Sequence, residues 1–168
     1  MQDPVERLVA QLELEPHPEG GFYRETFRSS HRVQRLDGPA GSNLSAGTSI
    51  YYLLARGAHS AWHRIGSDEI WHYHAGHALD IYSLNAGKLQ AWRLGNPLQV
   101  PGSQFQVCIA AGSWFAARLV DPQNYVLAGC TVSPGFEFSE FELATVEALV
   151  AEYPWHAGLI RELAPAAP

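Results

Sequence analysis

Between Gly21 and Val132 the chain repeats one kind of segment: a short run rich in aromatic and β-branched residues, closed on each side by Gly, Pro, Asn or Asp. Such runs span 22-28, 47-55, 60-64, 69-75, 78-84, 89-94, 105-110, 114-119 and 125-132. No helical period separates them, so the crossovers that a parallel sheet needs are missing and the strands must pair antiparallel. A set of this size closes on itself as an all-β barrel or jelly roll, which leaves few unpaired edges.

Helical signals frame this core, taken as about 20-133. Asp3-Pro4-Val5-Glu6 reads as a capped helix start, and Val5, Leu8, Val9 and Leu12 keep one face over about 4-13. Ser139-Glu140-Phe141-Glu142 has the form of a capping box, so a second helical region is expected over about 140-163, with Leu143, Val146, Leu149, Val150 and Tyr153 on one face. Asn85-Ala86-Gly87-Lys88 supplies a tight hairpin turn. Residues 35-47 hold three glycines and a proline with little period, and are expected to form a mobile loop near a pocket mouth. With 168 residues, 46% hydrophobic and 17% charged, the chain 1-168 fits a single domain that buries roughly 70% of its unfolded surface.

The net charge of -6 without any Lys or Arg block argues against nucleic acid as a partner. No apolar run approaches the ~20 residues that span a bilayer and no leader pattern opens the chain, so no membrane association and a cytoplasmic location are expected. Cys108 and Cys130 each sit in an apolar run, where buried free thiols are expected.

Within this pattern one spacing is specific. Gly57, His63, Glu69 and Gly76 are separated as in the metal motif of the cupin superfamily, with Ile65 at the place of its second histidine. The blocks His17-Ser29, Thr48-Leu54, Ser67-Gly76 and Gly112-Ala117 resemble the fifth cupin family, a family of unknown function. That resemblance implies a double-stranded β-helix, the cupin jelly roll, assembled as a homodimer; it implies no activity. Against the second cupin motif, Gln104, Ala110, Phe115 and Leu119 stand where Gly, Pro, His and Asn are usual, so the fourth ligand is a phenyl ring. A tight first-row metal site usually needs three protein ligands or more. No metal cofactor is therefore expected, a divalent ion at His63 and Glu69 alone being the residual alternative.

The residues that remain suggest acid–base chemistry. A carboxylate at Glu69 would hold one nitrogen of His63 and leave the other to move a proton, with Tyr73 as a third group. Strand alternation puts Glu69, Trp71 and Tyr73 on one face and His72 and His74 on the other, so His72, His74 and His77 would form a separate cluster or simply pack. Trp62, Trp71, Tyr82, Trp114 and Phe115 are candidate aromatic walls for a small flat ligand. Arg24 and Arg118 would anchor an anionic group if they face inward. Three functions stay open: a non-catalytic small-molecule-binding module; a metal-independent isomerase, by analogy of fold with dTDP-4-dehydrorhamnose 3,5-epimerase; and a metal-dependent oxygenase or isomerase.

Overall fold

A computed structural model describes residues 3–36 and 42–165. The Asp3 carboxylate accepts a hydrogen bond from the Val5 amide at 3.0 Å and starts helix α1 (Pro4–Gln11). Glu6 does not reach back to the cap; it turns to Arg56, 3.4 Å away. There follow β1 (Glu15–Pro16), β2 (Phe22–Arg28), β3 (Arg32–Val33), β4 (Leu44–Ser45), β5 (Thr48–Ala55), β6 (His59–Arg64), β7 (Asp68–Gly76), β8 (Leu79–Asn85), β9 (Lys88–Leu94), β10 (Gln106–Ile109), β11 (Trp114–Leu119) and β12 (Tyr125–Ser133). After a 3₁₀ turn at Phe138–Glu140 come β13 (Glu142–Leu143), α2 (Val146–Glu152) and α3 (Ala157–Glu162).

The strands form a six-stranded sheet in the order β1-β2-β5-β12-β7-β10, a five-stranded sheet in the order β13-β6-β11-β8-β9, and a small β3-β4 ribbon. Every ladder is antiparallel. The two large sheets face each other as a jelly roll. Alternate residues fill the space between them: Tyr52 and Leu54 of β5, Trp71 of β7, Ile81 of β8, Phe115 and Ala117 of β11, Val126 and Cys130 of β12. The outer face of the six-stranded sheet is covered by α1 through Val5, Leu53 and Leu127. The outer face of the five-stranded sheet is covered by the C-terminal helices, through Trp62, Trp114, Leu149, Tyr153 and Ile160.

Backbone geometry explains several glycines and one turn. Ala86 and Gly87 both take positive φ, 48° and 75°, in the two-residue turn that pairs Asn85 with Lys88. Gly76 has φ 97°, and a Cβ there would lie 2.1 Å from the Tyr125 carbonyl oxygen.

Three expectations change. The helix expected from 140 starts only at Val146, because β6 has an open edge and β13 fills it, with Leu143 opposite His63 and Glu142 opposite Arg64. Glu142 is thereby used across the strands, 2.7 Å from Arg64, instead of closing a capping box on Ser139. Cys108 is exposed where burial was expected, since β10 is an edge strand that turns Val107 and Ile109 inward and Cys108 outward; Cys130 is buried. Of the loop expected over 35-47, residues 37–41 lie outside the described residues. Its flanks are tied down: Arg35 holds Glu140 by two hydrogen bonds of 2.6 and 3.1 Å, and Leu44 and Ser45 are buried in β4.

Candidate functional site

A cavity of about 270 Å³ opens between the sheets, walled by residues of β2, β5, β6, β7 and β12, by the His17–Gly21 turn and by the segment after β12. Its inner end carries His63, Glu69, Glu19 and Cys130, all buried, and its rim carries the exposed Glu15 and Phe138.

The turn that delivers Glu19 is closed by backbone hydrogen bonds from Gly20 to the His17 carbonyl and from His17 to the Gly21 carbonyl, each 3.0 Å. Gly20 adopts φ 110°, and a Cβ there would sit 2.3 Å from the His59 carbonyl oxygen, so only glycine allows the turn to lie this close to β6. The Ala61 amide donates to the Glu19 carbonyl at 2.9 Å, and the Tyr52 hydroxyl donates to the Gly20 carbonyl at 2.6 Å. These contacts fix the Glu19 carboxylate beside His63.

His63 has no free ring nitrogen. Nδ1 lies 2.7 Å from the Ala61 carbonyl oxygen, which can only accept, so Nδ1 carries hydrogen. Nε2 lies 2.8 Å from Glu19 Oε2, and the two share one proton. Burial opposes an imidazolium here, but the Glu19 carboxylate, helped by Glu69 and the Ala61 carbonyl, outweighs it and raises the His63 pKa. Burial likewise opposes the Glu19 carboxylate, and His63, with His17, outweighs it and lowers the Glu19 pKa. Both shifts, with both ring nitrogens facing oxygen acceptors, favour the imidazolium–carboxylate form of the pair.

Glu69 has no such partner. Burial, reinforced by the charge of Glu19 and only partly offset by His63, pushes its pKa up to about 7. The Cys130 thiol and the Trp71 indole N–H, which has no other hydrogen-bond partner, lie beside Glu69 and favour its ionised form, offsetting only part of the rise. His17 is kept neutral by its own burial and by the His63 charge, which together outweigh Glu19. Cys130, beside Glu69, is buried and pushed well above the ordinary thiol range.

The sequence-predicted residues divide sharply. His63 and Glu69 both line the cavity, but the carboxylate that bonds His63 is Glu19, not Glu69. Phe115 lies against His63 with ring centroids 4.0 Å apart, covering the imidazole on the barrel side. Trp71 packs edge-on to Tyr52 at 5.4 Å behind the cavity wall. Tyr73 faces inward, but its hydroxyl donates to the Gly76 carbonyl at 2.7 Å and does not line the cavity.

Trp62, Tyr82 and Trp114 lie on the opposite face of their sheet, against the C-terminal helices. Alternation requires it, because His63 and Phe115 point inward and their neighbours must point out. Arg118 lies over the Tyr82 ring and pairs with Glu162, and Arg24 pairs with Glu13 at 2.9 Å and donates to the Leu12 carbonyl; both are outside the cavity. On the outer face of β7, His72 uses both nitrogens, with Thr131 at 3.0 Å and Gln106 at 2.9 Å, and His74 packs against Tyr51.

The aromatic wall consists of residues that sequence reasoning did not single out: Tyr23, Tyr52, Phe136, Phe138 and Phe141, gathered around His17, whose ring is 4.5 Å from that of Tyr23. Tyr52 was recoverable from the alternation of β5. Phe136 to Phe141 were not, because their segment reads as a helix start.

This donor set does not fit the metal of the cupin motif. Ile65 and Phe115 hold two ligand places, His63 has both nitrogens engaged, and among the described residues no three His, Cys, Asp or Glu side chains are grouped to hold an ion. Nor is any helix among the described residues long and apolar enough to cross a membrane.

Comparison with known proteins agrees with this architecture. The model of Cupin_5, described as cupin superfamily (DUF985), matches residues 6–144. The crystal structure of protein SO0799 from Shewanella oneidensis is similar at 37% identity and TM-score 0.85, over 99% of this chain and 100% of that one. A hypothetical protein from Leishmania major is 31% identical, with TM-score 0.87, over 98% and 100%. Oxalate decarboxylase from Bacillus subtilis, at 12% identity and TM-score 0.54 over 90% of this chain and 37% of that one, shares the fold alone. No curated protein matches.

Proposed function

Because the chain belongs to the Cupin_5 (DUF985) family of the cupin superfamily, whose jelly roll encloses a cavity, we propose that it binds a small organic molecule there, held between the phenylalanine–tyrosine wall and the Glu19–His63–Glu69 cluster. The observation that carries this reading is the cavity itself: about 270 Å³, walled by aromatic rings and ending on buried titratable groups, one of which, Glu69, is held in no ion pair. Native mass spectrometry of untagged protein, paired with elemental analysis, tests it. A retained organic mass that His63→Ala or Glu69→Gln loses is expected; stoichiometric metal without an organic mass would defeat it.

A second reading, a metal-independent isomerase, is favoured by the way neighbouring groups have had their pKa values driven apart. The roles differ from the simplest expectation. His63 is bound at both nitrogens, so Glu69, titrating near 7, is the base. Its carboxylate would take a proton from a carbon beside a carbonyl, the C–H electron pair moving onto the carbonyl oxygen as an enolate. A proton delivered to the other face of that carbon, as the electron pair moves back from the oxygen, completes an epimerisation, and Glu69 releases its proton to solvent. Solvent deuterium appearing at the α-carbon of a bound carbonyl compound, absent in Glu69→Gln, would support this step; its absence for every ligand found would leave the protein a binder.

Homodimer assembly is part of the proposal. The outer face of the six-stranded sheet exposes Ile70 of β7 and, directly opposite it on the edge strand β10, Cys108, a surface open to a second copy. A single monomeric mass by light scattering at micromolar concentration would rule this out. The free thiols Cys108 and Cys130 are consistent with a reducing, cytoplasmic setting.

A further inference from the structure

The charges around the cavity are unbalanced in one direction. Five carboxylates line it, those of Glu15, Glu19, Glu25, Glu69 and Glu137, against two cations, Arg28 and the His63 imidazolium. An excess of three negative charges remains when Glu69 is ionised, and of two when it is protonated. Both cations are already paired with carboxylates of the protein. His63 is held by Glu19 and Ala61. Arg28 uses four of the five N–H groups of a guanidinium: two on Glu25 at 2.9 Å each, one on Glu137 at 2.7 Å and one on the Phe136 carbonyl at 2.9 Å.

The two carboxylates without a cation stand at opposite ends of the cavity, Glu69 at the buried end and Glu15 at the rim. Tyr23, Phe136, Phe138 and Phe141 line the same cavity. Phe136 and Phe138 meet edge to face at 4.9 Å, and Phe138 and Phe141 at 6.0 Å, an angled arrangement of rings of the kind that surrounds ammonium groups.

From this we infer that the ligand is a small organic cation, an amine, whose ammonium group sits against Glu69 within the phenylalanine–tyrosine wall. An anionic ligand, such as a phosphate ester, a sugar nucleotide or a carboxylic acid, would meet an excess of negative charge and cations already paired with carboxylates. The inference rests on the reading of the cavity as a small-molecule site and narrows it to one chemical class.

The test is a fragment set built as matched triplets, one skeleton bearing an ammonium, a hydroxyl or a carboxylate in turn. 2-Phenylethylamine, 2-phenylethanol and phenylacetate form one such triplet; glucosamine, glucose and glucuronate form another. Binding is read by thermal shift and titration calorimetry at pH 8, with Glu69→Gln as counter-screen. Amines are expected to dominate the hits and to bind at least tenfold more tightly than their alcohols, and Glu69→Gln is expected to remove that preference while neutral members bind as before. Glu15→Gln, a change at an exposed rim position that leaves the core untouched, should weaken amines two- to threefold. Hits spread evenly over the classes, or enriched in carboxylates, overturn the cation inference and leave the cavity a binding site. A folded protein that binds no member of any class overturns both.

Discussion

Glu69→Gln should make the folded protein more stable, and by an amount that depends on pH in a defined way. The unfolded carboxyl titrates near 4.5 and the folded one at about 7. Below pH 4.5 both states hold the proton and Glu69 contributes no difference. As pH rises from 4.5 to 7 the unfolded chain releases the proton while the folded chain keeps it, so wild-type stability falls across this window; above 7 the full penalty stands. At ~1.4 kcal/mol for each pH unit between the two values, the penalty is roughly 3 kcal/mol. Glutamine has the same shape without the charge. Part of the gain is returned, because ionised Glu69 also supports the His63 imidazolium, so about 2 to 3 kcal/mol is expected at pH 8 and close to none at pH 4. Urea unfolding of both proteins across this range, at an m-value of about 2 kcal/mol/M, would read a midpoint difference growing to roughly 1 M or more. A difference that stays flat with pH, or a wild type that is the more stable at pH 8, would refute the placement of Glu69 as a buried carboxyl lacking a cation.

Three further outcomes follow from the same geometry. Glu19→Ala strands the His63 imidazolium, so the protein should lose about 3 kcal/mol and the His63 pKa, followed by NMR, should fall below its ordinary value as burial takes over. Gly20→Ala forces a Cβ to 2.3 Å from the His59 carbonyl at φ 110° and should cost at least about 2 kcal/mol by denaturant titration, with Glu19 pushed off His63 and the His63 pKa lowered in step. Chelation with EDTA should leave Tm unchanged, whereas loss of a metal held at a hundred times its Kd would remove about 2.7 kcal/mol and several degrees.

Most of the barrel was legible because each strand is short and bounded by turn residues. The period of two also assigns faces, as at Glu69, Trp71 and Tyr73 against His72 and His74. The same period, applied to β6 and β11, would have put Trp62 and Trp114 outside once His63 and Phe115 were taken as inward; nearness in sequence to His63 was the misleading cue. The partner of His63 was harder to read. Glu19 lies forty-four positions away, on a turn whose approach to β6 depends on a backbone conformation and not on any hydrophobic period. The segment from Phe136 to Leu143 carries a local signal for a helix that the open edge of β6 overrides, a non-local effect that periodicity does not register.

The phenylalanine wall is continuous with the strand that fills that edge. Beyond β13 the Ala144 amide bonds the Trp62 carbonyl, and α2 and α3 then clamp Trp62 and Trp114 from behind. The C-terminal helices, which line no part of the cavity, therefore act as its counterweight: a change at Leu149 or Ile160 that loosens their grip is expected to loosen β13 and, through it, Phe141. If the cavity binds as proposed, affinity would depend in part on packing on the far side of the sheet, and a truncation trimmed to the barrel alone is expected to keep the acid groups and weaken the aromatic wall beside them.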